Sequence, residues 1–329
     1  METREAIAGR AAVMAAALLV SVMVVLPARA ADYPSKPIHV VVTYPAGGAT
    51  DVVARAIAVR LGPGLKQSII VENRPGASGM IGTESVARAA PDGYTLTFTA
   101  ADTHSINPHV YAKIRYDARR DFTPVALVGH LPYALIINPR VQANSVGQLV
   151  ALAKQSPGKM TFASWGIGSS SQIAMEMFKI SAKIELLHVP FQGAAPAITA
   201  VIGGQVDAMM VPLTLAAPNH RGGKVRLLGV AAPGRFVSAP DSPTFAEQGM
   251  PLNARAWLGF LGPAKVPPEI VNLLNREINS TLQDPQIRDT LVNNGLEGAS
   301  GTPQEFESFL NSEYERWGNT IRAAKISAE

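Results

Sequence analysis

Two short stretches of this chain combine residue types and spacing suited to recognising an anion. Tyr44-Pro45-Ala46-Gly47-Gly48-Ala49-Thr50-Asp51 and Ser164-Trp165-Gly166-Ile167-Gly168-Ser169-Ser170-Ser171 each set glycines and hydroxyl residues between a run of strand character and a run of helical character. Glycine lets backbone N–H groups approach a ligand closely, and a helix start adds unpaired donors and the positive end of the helix dipole. Either loop alone is equally an ordinary strand-to-helix turn, capped by Thr50 or by a serine. Two such mouths facing one cleft would instead make a single closed site, since ligands of open parallel sheets bind at strand ends. A third glycine turn, Gly76-Ala77-Ser78-Gly79, is a weaker candidate and is read first as a helix entry. Asp51 would repel an anion beside it, so it is expected to cap its own helix rather than to receive a ligand ammonium.

Signatures of covalent or metal chemistry are missing from the sequence. It has no Gly-x-Ser-x-Gly elbow, no Walker loop, no His-Glu-x-x-His, and no Gly-x-Gly-x-x-Gly after the first strand. The histidines, His39, His104, His109, His130, His188 and His220, are dispersed, and His104 and His109 are spaced wrongly for one helical face. His104 falls just past the third strand, where a cleft-lining role stands against an ordinary loop-surface one. With no cysteine there are no disulfides, no thiolate ligands and no lipoprotein acylation site. The reading is therefore of a binding protein rather than an enzyme, with no cofactor and no metal site.

The elements that must position the two loops follow an alternating pattern. Ile38-His39-Val40-Val41-Val42-Thr43-Tyr44 is a nearly continuous apolar, β-branched run, as expected of a strand buried in a parallel sheet. A helix from Ala49 to Leu61, a strand Ser68–Glu72, a helix Met80–Ala90 and a strand Tyr94–Thr99 follow. Val125–Val128 and Tyr133–Ile137 read as two strands split by a Gly-His-Leu-Pro connection, a first crossing between lobes. The alternation then resumes with helix 146–155, strand 160–164, helix 171–182, strand 187–191, helix 195–202 and strands 206–211 and 225–231. After a proline-rich stretch, Pro233–Pro251, the run Trp257–Gly262 reads as the crossing back, before three helices at 268–283, 285–294 and 303–324. Strands alternating with helices imply right-handed crossovers and an α/β fold with mainly parallel sheets.

The first thirty residues carry Arg4 and Arg10, an apolar run from Ala11 to Leu26, and Ala28-Arg29-Ala30. That order is a secretory signal peptide, expected to be cleaved after Ala30, and the run is shorter than the ~20 residues a spanning helix needs. An uncleaved anchor is the alternative. Cleavage leaves about 300 residues, more than one core normally serves. We therefore expect a signal peptide at 1–30, one discontinuous lobe from 31–130 and 251–329, and a second lobe from 131–250. The formal charge of +4 falls to +3 once the signal's three arginines and two glutamates are gone, too slight and too scattered for a nucleic-acid partner.

Several of these stretches occur together in a known family. Tyr44–Asp51, Val71–Gly79, Pro91–Leu96, Gly166–Ser170, His188–Gly193 and Gly203–Asp207 resemble the Bug, or TctC-like, receptors of tripartite tricarboxylate transporters, across essentially the whole mature chain. The resemblance implies a two-lobed Venus-flytrap of the type II periplasmic-binding class, with a ligand carboxylate pinched between the two loops, partly through water. Carried over, the contacts fall on Ala46, Gly47, Gly48, Thr50, Asp51, Ser164, Gly166, Gly168, Ser169 and Ser170. Tyr44, Trp165 and Asp207 complete the candidate set. Where the family often has a second proline this chain has Ala46, where it has histidine Gln172, and where it has lysine Gln192; Trp165 stands where a small residue is frequent. The side-chain pocket is therefore this chain's own. The expected partners are a small carboxylate and the membrane permease subunits, with the receptor a monomer in the periplasm. A periplasmic sensor, or an α/β enzyme acting on an anionic substrate, are the alternatives.

Overall fold

In the computed structural model, residues 33–237 and 239–328 are described. The signal segment and its cleavage point lie outside them. Strand β1 (Ile38–Val42) is buried along nearly its whole length because it runs between two parallel neighbours. Helix α1 (Ala49–Leu65) follows it, then β2 (Ile69–Asn73), α2 (Met80–Ala87) and β3 (Thr95–Ala100). A single π-type turn (Asp102–Ile106) leads into the short helix α3 (Asn107–Val110). The long strand β4 (Phe122–Ile137) comes next, then α4 (Val146–Gln155), β5 (Thr161–Ser164), α5 (Ser170–Ala182), β6 (Leu187–Pro190), α6 (Ala194–Ile202), β7 (Ala208–Pro212), α7 (Leu213–Arg221) and β8 (Arg226–Val230). Strand β9 (Arg255–Pro263) precedes α8 (Pro268–Thr281), α9 (Pro285–Asn293), β10 (Glu297–Gly298) and α10 (Pro303–Ala323). From Lys36 on, the described residues form one compact unit.

The sheet runs in the order β2-β1-β3-β9-β4-β7-β5-β6, with β8 and β10 also paired to β4. Pairing is parallel within β2-β1-β3 and within β7-β5-β6, where each strand is followed by a helix that carries the chain back. Around β4 and β9 it is antiparallel, so the sheet is mixed and not mainly parallel. These two strands carry the chain between the parallel blocks, and a strand that crosses without a return helix runs against its neighbours.

The expected break at Gly129–Pro132 is not a break. Strand β4 continues through it, paired to β9 from Phe122 to Pro132, with bulges between Pro124 and Ala126 and between Leu127 and Gly129. From Tyr133 it exchanges β9 for β7 and β8. The proline and glycine thus mark a change of partner along one strand. Helix α7 was not legible in the sequence because Pro218 stands inside it and it starts directly at the end of β7. Trp257 and Trp317 are fully buried in an apolar cluster that runs from Val41 and Val86 to Phe162 and Phe178. Helix α10 opens with a reciprocal cap between Thr302 and Glu305, and its Arg316 reaches Met177 of α5 and the carbonyl of Asn253.

Candidate functional site

The C-terminal end of β1 delivers Tyr44 and the Pro45–Gly48 turn to the start of α1. This turn is clamped from behind. One oxygen of Asp51 accepts from the Gly47 N–H at 2.9 Å, and the other accepts from Arg55 Nε at 3.0 Å and Asn73 Nδ2 at 2.9 Å. Asn73 also donates to the Tyr44 carbonyl at 3.1 Å. Burial would raise the Asp51 carboxyl, but these hydrogen bonds and the Arg55 charge hold it below the usual carboxylate range. Gly47, at φ +81°, adopts the left-handed conformation this clamp needs.

The second loop leaves β5 at Ser164, whose hydroxyl meets His188 Nε2 at 2.7 Å and folds onto Gly166. Ser169 caps α5 by accepting from Gln172 N–H and donates to the Gly166 carbonyl at 2.6 Å. Gly168 N–H donates to Gln172 Oε1 at 2.7 Å. Of the four glycines expected to bind the anion, Gly47, Gly166 and Gly168 therefore have their N–H groups used inside their own loops. What the loops offer instead are the first N–H groups of the helices, Ala49 and Thr50 on α1, Ser170 and Ser171 on α5, which have no partner within the helix.

These helix starts border a cleft of about 420 Å³. Of the expected residues, it brings together Tyr44, Thr50, Trp165, Gly166, Gly168, Ser169 and Ser170. Ala46, Gly47, Gly48 and Asp51 lie in the clamp beside it, and Ser164 is buried beneath the second loop. Asp207 is elsewhere: its carboxylate accepts from Thr161 N–H at 2.8 Å and Thr161 Oγ1 at 2.9 Å. Thr161 opens β5 and the loop leaves its other end, about 10 Å away at ~3.3 Å per residue. Asp207 fastens the far edge of the sheet, and its motif says nothing about where its side chain points.

Five polar cleft residues went unread in the sequence, Asp102, Asn107, Tyr111, Tyr133 and Asn294, and a sixth, Ser78, was only part of the weaker candidate turn. Ser78 comes from the third glycine turn and bonds Tyr111 Oη at 2.9 Å. Asp102 had a signal, since it follows β3 directly at the strand end where ligands of such sheets bind. Its carboxylate accepts from Tyr44 Oη at 2.9 Å and from the Ser170 hydroxyl, and Ser170 in turn accepts from Tyr133 Oη at 2.8 Å. Burial raises the Asp102 carboxyl above its ordinary range despite those donors, and burial together with the Asp102 charge raises the Tyr44 phenol. Among the described residues no lysine, arginine or histidine side chain lines the cleft.

Trp165 is half-buried on the cleft wall, its ring 6.1 Å from that of Tyr133, and it also packs against the apolar clusters. His104 points away from the cleft, against Phe122, with Nδ1 2.8 Å from Thr103 Oγ1, and burial pushes it down to about 3. A separate hollow of about 340 Å³ between Arg235–Val237 and α9 is walled largely by Leu282, Leu291, Val292 and Leu296, and neither glycine loop reaches it. Among the described residues no acidic, histidine or cysteine cluster could hold a metal, and no helix is long and apolar enough to cross a membrane.

The sequence profile of the TctC family, the tripartite tricarboxylate transporter family receptor, matches residues 53–326. The chain belongs to that family. It is 35% identical to a UPF0065 protein in the tcbD-tcbE intergenic region of Pseudomonas sp. (strain P51), over 90% of this chain and 88% of the relative. TctC receptors of known structure share its fold. The adipate complex of an R. palustris protein superposes with a TM-score of 0.76 at 31% identity, covering 90% of this chain and 99% of that one. MatC from Rhodopseudomonas palustris with bound malate gives 0.72 at 32% identity, covering 88% and 100%. This TctC chain is thus a solute-binding receptor by descent, with the α/β fold of periplasmic binding proteins.

Proposed function

We propose that this TctC receptor is exported to the periplasm, closes lobes 31–130 with 251–329 and 131–250 on one small carboxylate, and delivers it to the membrane subunits of a tripartite transporter. One observation carries the reading: two helix starts, α1 and α5, border a single cleft whose other polar groups are hydroxyls, amides and the one carboxylate of Asp102. Unpaired N–H groups at helix starts stabilise an anion without any cationic side chain. Adipate and malate in the two related structures are acids of a size this cleft holds. Catalysis finds no support here, because Ser164, the one hydroxyl paired with an imidazole in the second loop, is fully buried and turned away from the cleft.

Calorimetry on ligand-stripped mature protein tests this. Hydrogen bonds to a charged group contribute about 1.5–3 kcal/mol each. Two of them place the preferred acid among adipate, malate, succinate and aspartate roughly two to four decades ahead of its uncharged amide. Equal binding of acid and amide would overturn the assignment.

A further inference from the structure

Among the described residues the cleft holds one acid and no cation to answer it. Asp102 stands just past the end of β3, partly exposed to the cleft, with the hydroxyls of Tyr44 and Ser170 against its carboxylate. Tyr44 Oη donates to Oδ2, Tyr133 Oη donates to Ser170 Oγ, and the proton left on Ser170 goes to Asp102. A carboxylate offers about four lone-pair sites. Tyr44 and Ser170 take up two of them. Asp102 itself lines the cleft, where Thr50, Ser78, Asn107, Tyr111, Ser169 and Asn294 are the other polar neighbours. The titratable groups facing Asp102 are Tyr44, Tyr116 and Tyr133, all neutral phenols.

We propose that Asp102 determines specificity by accepting a hydrogen bond from an ammonium or hydroxyl group on the bound carboxylate, so that the ligand is an amino or hydroxy acid rather than a plain one. The proposal rests on the carboxylate reading above and narrows it. An unsubstituted acid would set its charge near that of Asp102 with nothing of opposite sign between them. A ligand ammonium supplies the missing counter-charge, and a hydroxyl supplies the missing donor without the charge. Burial raises the Asp102 carboxyl, which agrees, since that is the behaviour of a desolvated acid lacking a counter-ion.

The test uses matched acids that differ in one substituent: succinate, malate and aspartate, and adipate, 2-hydroxyadipate and 2-aminoadipate. Calorimetry on wild-type protein at pH 7 is expected to rank amino above hydroxy above plain acid on at least one skeleton. The amino acid should bind about 10- to 100-fold tighter than the plain acid. Asp102→Asn keeps the shape and removes the charge, and should abolish the ammonium preference while leaving the plain acid at or above its wild-type affinity. Wild-type ranking alone can overturn the proposal should the variant fail to fold. Plain acids binding as tightly as their amino forms would do so. So would a plain diacid preferred increasingly as pH falls, because Asp102 would then be donating its own proton. If acids bind without such a ranking, only the role of Asp102 is lost; if none of the acids binds a cooperatively folded wild type, the carboxylate reading is lost with it.

Discussion

Replacing Gly168 by alanine should wedge the cleft. Gly168 sits in the second loop at φ +75°, and a Cβ built on it would lie 2.5 Å from Val110 Cγ1, with the Val110 Cβ and Cγ2 at 3.6 Å. Val110 ends α3 and follows β3, whereas Gly168 follows β5, so this contact joins the two parallel blocks across the cleft. Carbon atoms rest about 3.5–4.0 Å apart, so roughly 1 Å of separation must be found. Two costs arise, and they are separable. The left-handed backbone costs an alanine about 1–2 kcal/mol whether or not ligand is present, which lowers Tm by a few degrees. Overpacking costs about 1–3 kcal/mol, but only when the two sides meet. If closure on ligand brings them together, that second cost falls on binding and weakens affinity by about 5- to 150-fold. Val110→Ala deletes the offending Cγ1 and leaves ordinary contact, so Gly168→Ala with Val110→Ala should recover most of the lost affinity. Calorimetry on the wild type, both single variants and the double variant gives the cycle. Wild-type affinity in Gly168→Ala, or an equal loss in the double variant, would refute the view that this contact forms on closure.

Asp207→Ala should lower stability by about 1–2 kcal/mol, because it leaves the half-buried start of β5 without its acceptor, while ligand affinity stays within twofold; a large affinity loss would return Asp207 to the site. Acid should destabilise the fold through His104, whose pKa burial pushes down to about 3 from an ordinary value of about 6.5. Between those values the unfolded chain takes up a proton that the folded chain refuses, so stability falls as pH falls, by about 1.4 kcal/mol per pH unit from this residue. Chemical denaturation from pH 6 to 4.5 should show that slope reduced by the same amount in His104→Gln, whereas an unchanged slope would mean that His104 does not stay neutral in the fold.

The elements that hold the site were legible where the pattern is local. Ile38–Val42 is apolar and β-branched, Gly47 and Gly48 stop it, and the helical spacing begins at once, so strand, turn and helix can be read within fifteen residues. The same holds for Ser164 to Ala182. What could not be read depends on partners far along the chain. Gly129–Pro132 has every local mark of a break, yet its backbone stays paired because Arg255–Leu258 runs beside it, a neighbour supplied more than a hundred residues later. Asp102 has no glycine or motif around it. Its role emerges only when the hydroxyls of Tyr44 and Ser170 are brought onto its carboxylate and Tyr133 onto Ser170, from three separate segments. The resemblance to TctC receptors picked out Gly47 and Gly168 as donors, but in this chain Asp51 and Gln172 already take those N–H groups. The second loop is thus satisfied by the side chain of Gln172 from its own helix.

The placement of the two helix starts also bears on how closure would depend on ligand. Each helix start carries the equivalent of roughly half a positive charge, and α1 belongs to one parallel block while α5 belongs to the other. Bringing two such ends together across an empty cleft is unfavourable, and Asp102, engaged by Tyr44 and Ser170, offsets only part of it. A carboxylate between them turns the repulsion into two attractions, one to each block. A ligand shifts a conformational equilibrium only by its difference in affinity for the two states, and under the proposed closure that difference would arise because an open cleft presents one helix start and a closed cleft both. An arginine or lysine on one wall would bind the anion almost as well open as closed and would weaken that coupling. A cleft lined by neutral donors, with its positive ends divided between the two blocks, ties closure to occupancy.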